Sequence, residues 1–378
     1  MTSITTGAAD GPGPDDRLAR ARTRLWRAVQ ARDEHAAGRT VFDLLDEGTA
    51  AESVLLDVIA PVQAKVGTEW AADRISVAQE HAVTAIHDRI IAAMAHRDPP
   101  PPPPPEPEAA RPGTVTVACV DGEWHALPAR ILAEVLRGRG HRVDFLGAQV
   151  PTPHLVEHLH RNATDVLALS SSITTRLPRA HTAVTAVQAL GIPVLVGGAA
   201  FGRDGRYARL LGADAWAPDA RAAADLLARG VPRPLPAALR QVGDDLPHLT
   251  DQEYTLVTRA KRQLVKNTLA GLEERLPAMR TYTDAQRERT AEDIAHIVDF
   301  LATALYTDAA EIFTGFVGWT GDVLEARHVP ATALLPGLDL LGEELKDFPR
   351  ALGFLALGRD VVERRDPRPP TPAPGTPT

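Results

Sequence analysis

The sequence predicts a multidomain α and α/β protein, with a doubly wound parallel five-stranded sheet between two helical domains. Three observations carry that expectation. The apolar period switches from three-and-four to two, then back again. Strand-like and helix-like segments alternate five times in the middle of the chain. Seven consecutive prolines, Pro99 to Pro105, mark one junction. A proline run forms a semi-rigid extended spacer and cannot sit inside a packed element.

Residues 15–97 read as a small four-helix bundle. Leu44, Leu45, Val54, Leu55, Val58, Ile59 and Val62 recur at helical spacing, as do Val77, Val83, Ile86 and Ile90. Gly48 and Gly67 are expected to join the helices, and Asp73 and Ser76 to start one. Residues 98–112 are the Pro-rich linker. Residues 113–232 then alternate. The expected strands are Thr114–Val120, Arg142–Leu146, Val166–Leu169, Pro193–Val196 and Ala213–Ala217, each followed by a helix. That order places ligands at the carboxyl edge of a parallel sheet. Residues 250–363 read as about five helices, with Pro330 and Pro349 at helix starts. The first 14 residues and the Pro/Thr tail, 364–378, are expected to be disordered.

Composition removes several functions. The 378 residues carry a formal charge of −8 and no long Lys/Arg block, so nucleic acid is not an expected direct partner. No apolar run reaches the roughly 20 residues of a membrane helix, and the N-terminus is not a signal peptide. Cys119 is the only cysteine, which excludes an internal disulfide and a Cys-based zinc site and fits a reducing cytoplasm. No nucleophile triad, phosphate loop or acid–base carboxylate pair stands out. Turnover by this chain alone is therefore not expected.

The first motif is Glu123-Trp124-His125, after the first expected strand. A neutral imidazole there can bind a metal through one ring nitrogen. The other nitrogen needs a partner, and either Asp121 or Glu123 supplies a carboxylate. Taken alone, the histidine reads more readily as a solvated loop residue than as a ligand. The later strand ends add Ser170-Ser171-Ser172-Ile173-Thr174 and Gly197-Gly198. Together these segments resemble the base-off, His-on cobalamin-binding domain over about residues 113–230. The resemblance implies that His125 is the cobalt ligand. It also implies that Asp121, Glu123, Ser170, Ser172, Thr174, Gly197 and Gly198 line the site, with the nucleotide tail in a slot beside the sheet. The family carries a glycine three residues after its histidine, and here that position is Pro128.

The second motif is Trp70 followed, after nine residues, by Glu80-His81. It resembles the four-helix cap of the cobalamin photoreceptors related to MerR regulators. The resemblance implies that Trp70 covers the upper corrin face and that Glu80 and His81 contact the adenosyl group. Those photoreceptors carry a histidine just beyond the tryptophan, where this chain has Ala71, so His81 is the expected upper ligand after photolysis. Their DNA-binding helix-turn-helix would lie before the cap, and only about 15 residues precede it here.

The third motif lies in the C-terminal helices. Asp293, His296 and Asp299 recur every three residues, with Tyr306 further on and Phe313, Phe316, Val317 and Trp319 on the next helix. An apolar bundle with a polar outer face explains this equally well. The complete order resembles photocobilins: cobalamin cap, cobalamin sheet, then a globin-like domain. The resemblance implies biliverdin. Cys119 lies in the first expected strand, far in sequence from this domain, so no thioether is expected, and Asp293, His296 and Tyr306 are the candidate contacts. The expected function is light sensing with adenosylcobalamin and biliverdin, through a homodimer and a downstream protein partner. The alternatives are a corrinoid methyl carrier, or a haem or redox sensor with His296 or His328 on iron.

Overall fold

The computed structural model describes residues 14–97, 113–234 and 246–365. The Pro-rich linker, the N-terminal residues and most of the Pro/Thr tail lie outside the described residues.

The first layer is helical: α1 (Pro14–Gln30), α2 (Glu34–Asp46), α3 (Ala51–Val54), α4 (Ala60–Ala71) and α5 (Val77–Arg97). A π-turn, Leu55–Ile59, joins α3 to α4 into one continuous rod, so four rods make the bundle. Ser76 does start α5. Its hydroxyl accepts from the Gln79 amide while the Gln79 side chain accepts from the Ser76 amide, a reciprocal cap. Two expectations fail here. Gly67 lies inside α4 and joins nothing. Asp73 sits in the turn after α4 with φ 56°. Short polar side chains tolerate that left-handed turn, which explains the misreading.

The middle layer is a five-stranded parallel sheet, ordered β2-β1-β3-β4-β5. The strands are β1 (Thr114–Cys119), β2 (Arg142–Gly147), β3 (Val166–Ser170), β4 (Val194–Gly197) and β5 (Ala215–Ala217). The helices α6 (Ala126–Gly138), α7 (Thr152–Arg161), α8 (Leu177–Gln188), α9 (Arg206–Leu210) and α10 (Ala220–Arg229) alternate with them. The chain runs outward from β1 to β2, then returns to build β3, β4 and β5 on the other side. Strand order therefore reverses between β1 and β3, where parallel sheets open a crevice at their carboxyl ends.

The third layer holds α11 (Glu253–Arg275), α12 (Asp284–Thr307), α13 (Ala310–Ala326), α14 (Leu335–Glu344) and α15 (Pro349–Glu363). Successive β1 side chains point to opposite faces. Val115, Val117 and Cys119 join a core shared with the first layer. Ala118 and Val120 join a core shared with the third. Ion pairs tie the first layer to the sheet. Arg221 on α10 bridges Asp57 at 2.7 Å and Glu52 at 3.1 Å, and Arg139 bridges Glu52 at 2.8 Å and also pairs with Asp225. No helix of the described residues is long and apolar enough to cross a membrane.

One buried titratable group sits in the first layer. His87 on α5 is 0% exposed, and its Nδ1 lies 2.7 Å from Gln63 Oε1. Burial holds its imidazole down to about 4. Unfolded, the same group titrates near 6.5. The unfolded chain therefore binds more protons below pH 6.5, and stability falls as pH drops from 6.5 towards 4. The loss over that window is about 3 kcal/mol. H87Q keeps a partner for Gln63 and removes the titration. Thermal melts at pH 7 and 4.5 are expected to show a much smaller pH difference for H87Q than for the parent.

Candidate functional site at the sheet switch point

The site grows from the turn after β1. Val120 N donates to Ser170 O at 2.9 Å, and Glu123 N donates back to Val120 O at 2.8 Å. Gly122, with φ 79°, turns the chain between them. This folds the Glu123 side chain inward, leaving it 1% exposed. His125 follows as the N-cap of α6, and its side chain remains 55% exposed.

The Glu123 carboxylate accepts six hydrogen bonds. Its Oε1 takes Trp124 N at 2.9 Å, His125 N at 3.0 Å and His125 Nδ1 at 2.6 Å. Its Oε2 takes Ser171 Oγ at 3.0 Å, Ser172 N at 2.8 Å and Ile173 N at 3.1 Å. Burial pushes the carboxyl up, but the bonds from His125 and the Ser172 amide outweigh it and hold it at about 2. Its hydrogen bond and charge raise His125 above the ordinary imidazole range, against burial, with the Glu80 carboxylate adding to the effect. An ionised carboxylate only accepts, so Nδ1 donates and the imidazole lone pair stays on Nε2. Asp121 does not take this role. It faces Arg179, with 3.6 Å between the charged atoms.

α5 of the first layer packs against α6, the helix that His125 caps. Thr84 Oγ1 donates to Glu80 Oε1 at 3.0 Å. His81 Nδ1 lies 2.7 Å from Glu80 Oε2 and 2.9 Å from Val77 O, with most of the ring in solvent. Trp70 lies in the last turn of α4, ahead of the turn that leads into α5.

The other strand ends supply space. Ser170 closes β3 and is 7% exposed. Ser172 contributes its backbone amide rather than its hydroxyl, and Thr174 opens a short 3-10 turn. Gly197 ends β4, and its carbonyl accepts from Ser171 N at 3.1 Å. Gly198 adopts φ 99° and ψ 165°, a region open essentially to glycine alone, and a Cβ there would collide with the Ser171 carbonyl. This is a backbone approach that no side chain fits.

Sequence reading missed Ser171, whose hydroxyl completes the Glu123 cradle, and Arg176. The guanidinium of Arg176 acts on His125, its Nε is buried with no partner among the described residues, and its Nη1 lies 3.4 Å from where a Gly122 Cβ would stand. Runs of serine and a lone arginine before a helix carry no local signal of that role. The C-terminal residues are not brought together. Asp293 and His296 are exposed on α12. Tyr306 lies ten residues further along, about 15 Å up the helix axis. Its hydroxyl meets His181 Nδ1 of α8 at 2.6 Å, which places it at the seam with the sheet. Equal helical spacing does not put residues three turns apart into one pocket.

Residues 113–227 match the family described as B12 binding domain, and residues 21–94 match a second family of that description. These are B12-binding domains. Cobalamin is the small molecule that they take. The chain is 32% identical over 193 residues to the HTH-type transcriptional repressor CarH of Myxococcus xanthus, covering 48% of this chain and 60% of that protein. It is 27% identical over 116 residues to dimethylamine corrinoid protein 1 of Methanosarcina acetivorans, covering 30% of this chain and 54% of that one. The chain thus spans less than two thirds of both relatives. The solved monomethylamine corrinoid protein of Methanosarcina barkeri aligns with a TM-score of 0.46 at 17% identity, over 55% of this chain and 96% of that one.

The donor set fits cobalamin. His125 offers one nitrogen with its lone pair directed by a buried carboxylate, and no group of three or more metal-binding side chains occurs among the described residues. A ligand that brings its own equatorial ring needs one protein nitrogen, not a cage. The glycine pair keeps the neighbouring strand end free of side chains.

The cradle makes a comparison possible. G198A is expected to cost about 2 kcal/mol, because φ 99° and the Ser171 carbonyl both oppose a Cβ. G197A meets only Ala217 O, at 3.3 Å, and is expected to cost less than half as much. Urea unfolding of the cobalamin-free protein measures both.

Proposed function

We propose that this chain is a light-sensing signalling protein that holds adenosylcobalamin between His125 below and Trp70, Glu80 and His81 above. The single observation that carries the reading is the pairing of half-exposed His125 with the buried Glu123 carboxylate at the sheet switch point. The similarity to the HTH-type transcriptional repressor CarH supports a signalling role over group transfer, and the resemblance of Trp70 and Glu80-His81 to the cap of the cobalamin photoreceptors supports light as its input. When bound, adenosylcobalamin supplies a cobalt–carbon bond that visible light cleaves.

The protein's own residues do the rest. Glu123 fixes the His125 tautomer and keeps Nε2 free for cobalt. Ser170, Ser172, Thr174, Gly197 and Gly198 border the slot for the nucleotide tail. The first helical layer covers the opposite face and excludes water. A change in what Trp70, Glu80 and His81 touch then shifts the equilibrium of that layer. His81 is the first-layer imidazole offered to cobalt after illumination. The chain acts as a sensor and passes the change to a protein partner, as a homodimer.

A globin-like third layer binding biliverdin belongs to the same reading. The stacked pair Phe300–Phe316, 3.8 Å between ring centroids, and the 43% exposed Trp319 support a flat aromatic ligand on α12 and α13. Asp293 and His296 are its polar contacts in this reading, and Tyr306 is not.

A second reading rests on the similarity to the dimethylamine corrinoid protein. There the chain carries methyl groups for a methyltransferase, and light is irrelevant. Reconstitution with adenosylcobalamin separates the two. Under the light-sensing reading, green illumination changes the absorption spectrum within the complex and the cofactor stays bound. H125A is expected to lose lower-face coordination, visible as a base-off spectrum. E123Q is expected to weaken cobalamin affinity roughly 10–100-fold, the usual cost of losing an outer-shell partner of a ligating histidine. Unchanged uptake and an unchanged spectrum in H125A would sink the proposal.

A further inference from the structure

We infer that Trp319 and Arg327 of the third layer are positioning residues for Trp70, so that the C-terminal helices complete the first-layer side of the cobalamin site. This rests on the function proposed above.

The contact is built from several independent pieces. The Trp319 ring stacks on Trp70, with centroids 5.9 Å apart and planes 29° from parallel. The Arg327 guanidinium lies 5.6 Å from the Trp70 ring centroid. The same guanidinium reaches Trp70 O and Ala71 O at 3.4 Å each, and the Asp73 carboxylate at 3.5 Å. Those carbonyls form the negative end of α4, where a cation is favoured. One side chain therefore holds both the ring and the helix end that carries it.

The third-layer half of the contact is anchored. Arg327 also donates to Val323 O at 3.0 Å, within its own helix end. Trp319 leans on Phe316 at 6.1 Å, and Phe316 lies flat on Phe300 of α12 at 3.8 Å and 7°. An aromatic ladder thus runs from the α12–α13 core to Trp70. Trp319 is 43% exposed, so one part of it stays open at the cleft while the rest braces its neighbour. No other third-layer side chain of the described residues stacks on a first-layer ring. Trp70 cannot change its tilt without unstacking Trp319 or leaving Arg327.

The test uses the full chain and four variants: W319A, W319F, R327A and the control E325A on an exposed position of α13. Hydrogen exchange is first followed at residues 70–76 in the cobalamin-free protein. An aromatic stack or a cation held over a ring is worth several-fold to about tenfold in an equilibrium. Exchange there is expected to rise about that much in W319A and R327A, with W319F near the parent and E325A unchanged. Adenosylcobalamin affinity, read from the absorption spectrum in the dark, is expected to fall in the same order. Unchanged exchange at 70–76 in both alanine variants overturns the inference. Faster exchange with unaltered affinity overturns it too, because Trp70 would then be held for another reason. If the parent protein takes up no adenosylcobalamin, the proposed function fails, while the exchange data still report whether Trp319 and Arg327 hold Trp70.

Discussion

The rest of the structure depends on one buried carboxylate. Taking an ion out of water costs several kcal/mol, and an unpaired one would break the fold at that point. Glu123 is tolerable because six donors surround it, from the turns after β1 and β3. Those donors in turn have no substitute acceptor. Amides of Trp124, His125, Ser172 and Ile173 all point at it, so losing the carboxylate strands four backbone groups. The two loops at the switch point are thus one unit, and His125 is aimed as a by-product of satisfying a buried charge.

That unit sits where three layers meet. β1 alternates its side chains between two cores, so the first and third layers press on opposite faces of one sheet. The seams differ in chemistry. The first layer joins the sheet through Arg221 and Arg139 with their carboxylates, and those guanidinium partners lower Glu52 and Asp57 from the ordinary carboxylate value. The third layer joins the sheet through His181 with Tyr306 and through Glu311, which takes both Tyr207 at 3.1 Å and the Arg206 guanidinium at 2.8 Å. The first and third layers meet directly at Trp70, Trp319 and Arg327.

Much of this was legible because it is local. The strands of the sheet fall within two residues of where alternation placed them, and the third layer holds the five helices expected of residues 250–363. Glu123 and His125 are two apart, so their pairing follows from chain geometry. Ser171 shows the limit. Its hydroxyl meets Glu123 from 48 residues away, and nothing in a serine run distinguishes which member turns inward. Gly67 and Asp73 misled for a related reason: glycine and short acids mark turns on average, while neighbours decided each case. Tyr306 shared a helix with Asp293 and His296, yet its partner came from α8. Trp70 carried a signal as half of a motif, but its stack on Trp319 spans 249 positions and had none.

A sensor needs a contact whose energy differs between two states of its ligand. The ion pairs on Arg221 and Arg139 hold Glu52 of α3 and Asp57 of the π-turn, at the opposite end of the rod that carries Trp70. The Tyr306 and Tyr207 contacts join the sheet to the third layer, and neither includes a residue of the first. Among the described residues, the Trp70 contact is the one that links the first layer to the third through stacked rings. It combines a stacked pair with a partly exposed cation at 3.4–3.5 Å, which is weaker than the bidentate pair of Arg221 with Asp57 at 2.7 and 3.0 Å. In the light-sensing reading, a change at Trp70 would reach the third layer through Trp319 and Arg327, while Arg221 and Arg139 tie the first layer to the sheet.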